Sequence, residues 1–387
     1  MKKSSFIYVW VALATVGVVA CNRQVEELPL PQAMPETGLI QIQVTPPDAP
    51  GTLTKVDGSA LQSNNERKVN SLQVFVFKQN GSEPAGNPLE TDKYVSGTTA
   101  TTLNTLTGNK SIWALVNAPR LYDVRTEKTL KEKVSYLTEN RADNLVMCGQ
   151  ATAHVQQYNA SGGGNVGNIT PVNLSVSRLC ARISLHAVAA DFRGTSLEGA
   201  TLTLLEAYVI NAPASVRLDG TPLSVSELSS STAWYNFRKL GTSADEQLLN
   251  NTNKILTESG LSLSISTSDA LVGTAVDKHF YVYPNVSTVK SDDESPGARM
   301  TRLVLHTYIG ATADGREGRD SYYSFNIPVH GSGKTLEGNH IYDISKITLT
   351  SEGSPVPPPF PDMEYGKVNA SITIGEWGGT ETLLYEL

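Results

Sequence analysis

Leu39-Ile40-Gln41-Ile42-Gln43-Val44 alternates apolar and amide side chains. In an extended chain successive side chains point to opposite faces, so Ile40, Ile42 and Val44 share one face and Gln41 and Gln43 the other. That period predicts a half-buried β-strand, read here as the edge strand of a sandwich. Pro46, Pro47 and Pro50 end it, because proline has no N–H to give to a sheet ladder. From Thr52 to Lys68 the chain is polar, contains Gly and Asn and shows no period, so an exposed loop is expected.

The same grammar continues downstream. Leu72–Phe77 is a strand pattern closed by the turn signal Asn80-Gly81. Ile112–Val116 and Leu145–Cys148 are short apolar runs of buried-strand length. Leu130, Val134 and Leu137 recur at helical spacing, which predicts a helix over 126–139 with Thr126 able to cap it. Further strand patterns lie at 178–185, 201–205, 207–210, 279–283, 302–306, 323–327 and 341–344. Gly, Asn, Asp and Ser separate them, and no regular helices alternate with them. The reading is therefore all-β: antiparallel sandwiches with one helix in the first half.

Upstream, Lys2 and Lys3 precede the apolar run Phe6–Val19, the layout of a secretory signal. The run ends at Ala20-Cys21, which resembles a bacterial lipobox with the Cys21 thiol as the acylated atom. Residues 22–35 read as a tether. The 387 residues suggest two domains. Hydrophobic residues at 40% against 18% charged suffice for real cores, and a net charge of −7 excludes nucleic acid as a partner. No later stretch is apolar for about 18 residues, as a spanning helix requires. Cys148 and Cys180 stand in apolar runs and read as buried free thiols rather than a bridge.

At the other end, Pro355-Val356-Pro357-Pro358-Pro359-Phe360-Pro361 is a stiff extended spacer. Beyond it Val368, Ala370, Ile372 and Ile374 alternate with Asn369, Ser371, Thr373 and Gly375. That is a second amphipathic strand, set apart on a proline arm.

Chemistry-bearing patterns are few. The six histidines show no zinc spacing, and no metal or cofactor is expected. Gly162-Gly163-Gly164 lacks the Lys-Ser/Thr of a phosphate loop, and Asp292-Asp293-Glu294 lacks the spaced ligands of a calcium loop. There is no Gly-x-Ser-x-Gly elbow. No catalytic residue is assigned, and an enzyme is not expected.

Taken in order, the lipobox, the strand 39–44, Lys68–Phe77, Leu145-Val146-Met147, Arg178-x-x-Ala181-Arg182, Gly338–Ile344 and the terminal strand ending Glu376-Trp377 resemble the major fimbrial subunits, or fimbrillins, of Bacteroidales-type pili. The resemblance implies two transthyretin-like antiparallel β-sandwich domains, with one or two short helices in the first. It divides the chain into a lipoprotein signal peptide (1–20), a lipidated propeptide with the excisable first strand (21–55), an N-terminal domain (56–177), a C-terminal domain (178–354), and a spacer with donor strand (355–387). It also implies acylation at Cys21 (palmitate-type) and outer-membrane attachment before cleavage. A trypsin-like protease would then cut between the first two strands. Lys55–Val56 fits the family spacing; Arg67–Lys68 offers the arginine such proteases prefer. The partners implied are copies of the chain in a head-to-tail filament and other pilus subunits, at the cell surface.

The strand-exchange logic also stands on physics. Excising Ile40, Ile42 and Val44 exposes a groove and unpaired backbone groups, and Val368, Ala370, Ile372 and Ile374 of a neighbour offer a similar face. Basic residues Lys2, Lys3, Arg23 and Lys55 balance acidic Glu26, Glu27, Glu36 and Asp48, so excision leaves the net charge at −7. Two alternatives remain at this stage. One is a lipid-anchored, uncut anchor subunit; the other is a surface glycan-binding lipoprotein using Trp113, Trp234 and Tyr322-Tyr323.

Overall fold

The alternation at 39–44 forms the strand it predicts, β1 (Thr37–Thr45). The structure is a computed structural model. It describes residues 36–47, 64–79, 86–158, 168–236, 256–267, 273–287, 299–327 and 336–357, with the backbone of two further strands at 368–376 and 381–386. After β1 come β2 (Ser71–Lys78), β3 (Leu89–Ser96), β4 (Ala100–Leu106), β5 (Gly108–Val116), the helix α1 (Glu127–Glu132), β6 (Val134–Tyr136), β7 (Met147–Val155), β8 (Ile169–Ser175) and β9 (Ser177–Arg178). The rest of the chain holds β10 (Ala181–Ala190), β11 (Leu202–Ile210), β12 (Ala212–Pro213), β13 (Ser215–Arg217), β14 (Trp234–Tyr235), β15 (Thr257–Glu258) and β16 (Leu263–Ile265). It ends with β17 (Thr274–Val282), β18 (Arg302–Ile309), β19 (Arg319–Asn326), β20 (His340–Leu349), β21 (Val368–Glu376) and β22 (Glu381–Glu386).

Up to Arg178 these strands, β6 excepted, make two sheets, ordered β4-β1-β8 and β3-β2-β5-β7-β9. Beyond it the orders are β17-β10-β20-β21-β22 and β15-β11-β18-β19, with β16 also on β11. The fold is all-β and sandwich-like, as expected, but not wholly antiparallel. β1 runs parallel to β8, and β10 runs parallel to β20. In each case the chain makes a long excursion before returning beside its first long strand, which is what a parallel neighbour needs. The two halves thus share a plan that no sequence repeat announces: a first long strand between one antiparallel and one parallel neighbour.

The continuous apolar runs of β2 and β5 are explained by cover on both faces. One face meets the core; α1 lies on the other, where Trp113 Nε1 donates to Glu127 Oε1 at 3.0 Å and Leu130 is buried. The helix starts as predicted, with the Thr129 N–H donating to Thr126 Oγ1 at 3.1 Å. It ends at Glu132 rather than 139, because Val134–Tyr136 turns extended and pairs with Ser215–Arg217. A pairing partner from the second half overrides the local helical period there. Buried side chains of both halves form one continuous core, from Ile40 to Leu349. Among the described residues no helix is long and apolar enough to cross a membrane.

Candidate functional site

β1 is held on both sides. It runs antiparallel to β4, with Ile40 opposite Leu103 and Ile42 opposite Thr101. Against β8 it runs parallel, with Ile40 opposite Thr170, Ile42 opposite Val172 and Val44 opposite Leu174. The expectation of an edge strand is corrected: β1 is the middle of its three-stranded sheet. The walls escaped the sequence reading because β4 (Ala-Thr-Thr-Leu-Asn-Thr-Leu) and β8 (Ile-Thr-Pro-Val-Asn-Leu-Ser) are rich in threonine and asparagine. Pro171 is tolerated in β8 because that strand is at the sheet edge.

Ile40 and Ile42 are 0% exposed and Val44 is 1% exposed. Burial of such side chains contributes roughly 1.5–3 kcal/mol each. Gln41 and Gln43 face solvent, as the alternation requires. Gly38 continues the inward face. A Cβ there would stand 2.4 Å from Val155 Cγ1 and 2.6 Å from the Gln156 carbonyl oxygen, so the backbone approach admits only glycine without a shift.

The second part of the site is a turn just before β2. Residues Asn64–Arg67 form a single 3-10 turn in which Glu66 is 1% exposed. This corrects the exposed-loop expectation for that end of 52–68. Arg182 Nη1 donates to both Glu66 carboxylate oxygens at 2.8 Å, and the Tyr281 hydroxyl donates to Oε1 at 2.7 Å. The Glu66 carbonyl accepts from Arg178 Nε at 3.2 Å and Nη2 at 3.0 Å. Burial lowers the Arg178 pKa to about 10 and raises that of Tyr281, with the Glu66 charge adding to the latter. Burial raises the Cys180 thiol beside them to about 12. Glu66 carries no periodic or motif signal; only the paired arginines at 178 and 182 hinted at a buried acid.

The alternative cleavage bond lies in this turn. The Lys68 N–H donates to the Asn65 carbonyl at 3.1 Å, and the Lys68 carbonyl accepts from Asn117 Nδ2 at 2.8 Å. Cys21, Lys55 and Val56 lie outside the described residues, as do Gly162–Gly164 and Asp292–Glu294.

The C-terminal strand is not a separate arm here. β21 pairs antiparallel with β20, placing Val368 opposite Leu349, Ala370 opposite Ile347, Ile372 opposite Ile344 and Ile374 opposite Tyr342. β22 then pairs with the outer side of β21. Residues 358–367, most of the spacer, lie outside the described residues.

The aromatics considered for sugar stacking are mostly inside. Trp113 is 4% exposed, Trp234 donates Nε1 to the Leu228 carbonyl, and Tyr323 is buried; Tyr322 stacks on His306 with centroids 4.3 Å apart. Their burial removes Trp113 and Trp234 as stacking platforms. Among the described residues no group of three or more His, Cys, Asp and Glu could hold a metal. Cys148 and Cys180 are free thiols.

Fold and site together define an all-β protein of two sandwich-like halves, whose first strand fills a trough between two neighbours. Residues 40–178 match the family described as Major fimbrial subunit protein (FimA), a match that supports the resemblance read from the sequence. A fimbrilin from Porphyromonas gingivalis W83 shares the fold at a TM-score of 0.54, with 14% identity over 88% of this chain and 98% of that one. A proposed cell adhesion protein from Bacteroides eggerthii does so at 0.53, with 19% identity over 89% and 97%. Another, from Parabacteroides distasonis, reaches 0.55 with 15% identity over 89% and 100%. No curated protein matches the chain. At these identities the structural likeness speaks for the fold; the family match supports a fimbrial subunit role at the cell surface.

Proposed function

We propose that this chain is a structural shaft subunit of an adhesive surface fimbria, exported as a lipoprotein acylated at Cys21, proteolytically matured and polymerised by donor-strand exchange. The observation that carries this is the setting of β1: a strand ahead of the first cuttable loop, buried at Ile40, Ile42 and Val44 and paired along both sides.

Cutting at Lys55–Val56 separates β1 and its lipid from the rest of the fold. β4 and β8 are then left with two facing rows of unpaired N–H and C=O groups over an apolar floor, and both demand a replacement. A strand from another copy answers both. Val368, Ala370, Ile372 and Ile374 supply it in a head-to-tail contact, which does not close and so builds a filament. The donor has first to leave β20, exchanging its place on its own sheet for a place between two strands of its neighbour. The partners are copies of the chain, other pilus subunits, a trypsin-like protease and, before the cut, the outer membrane. The bonded Arg67–Lys68 turn speaks for Lys55–Val56, because a protease needs its substrate extended.

The test compares uncut protein, trypsin-matured protein, and matured protein ending before residue 366. Filaments are expected from the second alone. Filaments from the shortened protein would overturn strand exchange, and an acylated Cys21 on the assembled native subunit would overturn maturation.

A further inference from the structure

The inward places of β1 read in order as one glycine and three aliphatic side chains, Gly38, Ile40, Ile42 and Val44, all buried. The glycine place is strict. A Cβ there meets the Gln156 carbonyl oxygen at 2.6 Å, and a backbone atom cannot swing aside as a side-chain tip can. Inward places recur every second residue, so a replacing strand must repeat glycine and three aliphatics at that spacing.

The C-terminal sequence Gly366-Lys367-Val368-Asn369-Ala370-Ser371-Ile372 does so, with Lys367, Asn369 and Ser371 outward where Leu39, Gln41 and Gln43 stand. Gly366 and Lys367 lie outside the described residues and enter by sequence alone. Other registers in the same sense fail. A shift of two residues one way puts Val368 on the glycine place; the opposite shift puts Glu364 there. A shift of four puts Ala370 there and the Glu376 carboxylate on the place of Val44, which is 1% exposed. Reversed strands put Glu376, Ile374 or Ile372 on the glycine place, or, with Gly378 there, bury Glu376 where Ile40 sits. Registers of the other parity turn Asn369, Ser371 and Thr373 inward. Burying an unpaired carboxylate or hydroxyl is unfavourable.

We infer that a second copy of this chain enters the trough with residues 366–372 in place of residues 38–44, running in the same sense as β1, antiparallel to β4 and parallel to β8. This rests on the strand-exchange reading and adds its register and sense. It also makes one place underfilled, since Ala370 would stand where Ile42 stands.

The experiment uses matured full-length subunits carrying G366V or A370I, with monomer unfolding midpoints confirming that each folds. In this register G366V abolishes filaments, whereas A370I filaments survive to a higher denaturant concentration than wild type. The stability of formed filaments is the readout, because Ala370 also lies opposite Ile347 in the single chain. Ile42 pairs with Thr101, so T101C in one copy is expected to crosslink to A370C in the next. Wild-type polymerisation by G366V, loss of filaments in A370I, or crosslinking of T101C to I374C instead would overturn the register. Polymerisation by the protein ending before residue 366 would overturn strand exchange itself.

Discussion

Glu66 and Arg182, far apart in sequence, form an ion pair with Arg182 Nη1 2.8 Å from each carboxylate oxygen and both side chains at most 3% exposed. One precedes β2 and the other lies in β10, so the pair ties the turn before the first large sheet to the second half. Removing one partner of such a pair leaves a buried charge alone, which costs about 3–5 kcal/mol. E66A is therefore expected to lower the unfolding free energy by about that amount in urea. The double variant E66A/R182M should recover part of the loss, since apolar replacement removes the stranded charge as well. Equal stability of E66A and wild type would show that the pair holds nothing.

The same pair guards a peptide bond. Arg67–Lys68 is bonded on both sides of Lys68, within the turn that Glu66 anchors. Brief trypsin treatment of the native chain should give no fragment beginning at Lys68, while E66A should give one. A Lys68 N-terminus from the native wild-type protein would move the maturation site into this turn.

Gly38 provides a contrast between precursor and matured protein. G38V forces a branched side chain against Val155 and the Gln156 carbonyl, and overpacking of this kind costs typically about 1–3 kcal/mol. I42A, which empties a fully buried place, should cost about 2–5 kcal/mol. Both losses belong to the uncut protein. Once residues 1–55 are gone, wild type and both variants should unfold at the same denaturant concentration. A difference that persists after the cut would mean that β1 stays bound.

What the sequence made legible followed side-chain pattern. β1, β2 and β5 were readable because alternation or an unbroken apolar run survives in any window. β4 and β8 were not, because Thr101, Thr105 and Pro171 look like loop chemistry until a partner strand is known to lie between them. The helix at 126–139 was readable only to Glu132, where pairing with Ser215–Arg217 takes over. Nor could periodicity reveal that β21 rests on β20, or that Glu66 is buried. The first depends on a strand 19 to 36 positions back across the proline spacer and the second on residues more than 100 positions away, and a local window holds no record of either.

Cys148 and Cys180 should be silent in the folded protein. Burial raises both thiols to about 12, and the thiolate is the reactive form. Near pH 8 an alkylating reagent should leave both unmodified in the native matured chain and modify both in denaturant. Cys180 is buried and Cys148 half-buried, and rapid labelling of either in the native state would contradict a thiol held in its protonated form.

His186 makes stability depend on pH in a definite direction. Its Nε2 lies 2.8 Å from Asp343 Oδ1 and its Nδ1 3.2 Å from Asp277 Oδ1. Two acceptors call for two N–H donors, which only the imidazolium has. The hydrogen bond to Asp343 raises the His186 pKa most; burial opposes it, and Asp277 adds to it. The neighbouring His279 ring, with centroids 6.1 Å apart, is held below its ordinary value, first by burial and then by the Arg182 charge, and so does not compete for the proton. A folded pKa above the unfolded value of about 6.5 means stabilisation that is complete below that value and lost as pH rises through the folded one. The stability gap between wild type and H186Q should therefore be widest at acid pH and shrink as the pH rises past neutrality. Urea midpoints across that range measure it. A gap that stays constant or widens with pH would mean that the imidazole is neutral in the fold, and that Asp277 and Asp343 are held by something other than its charge.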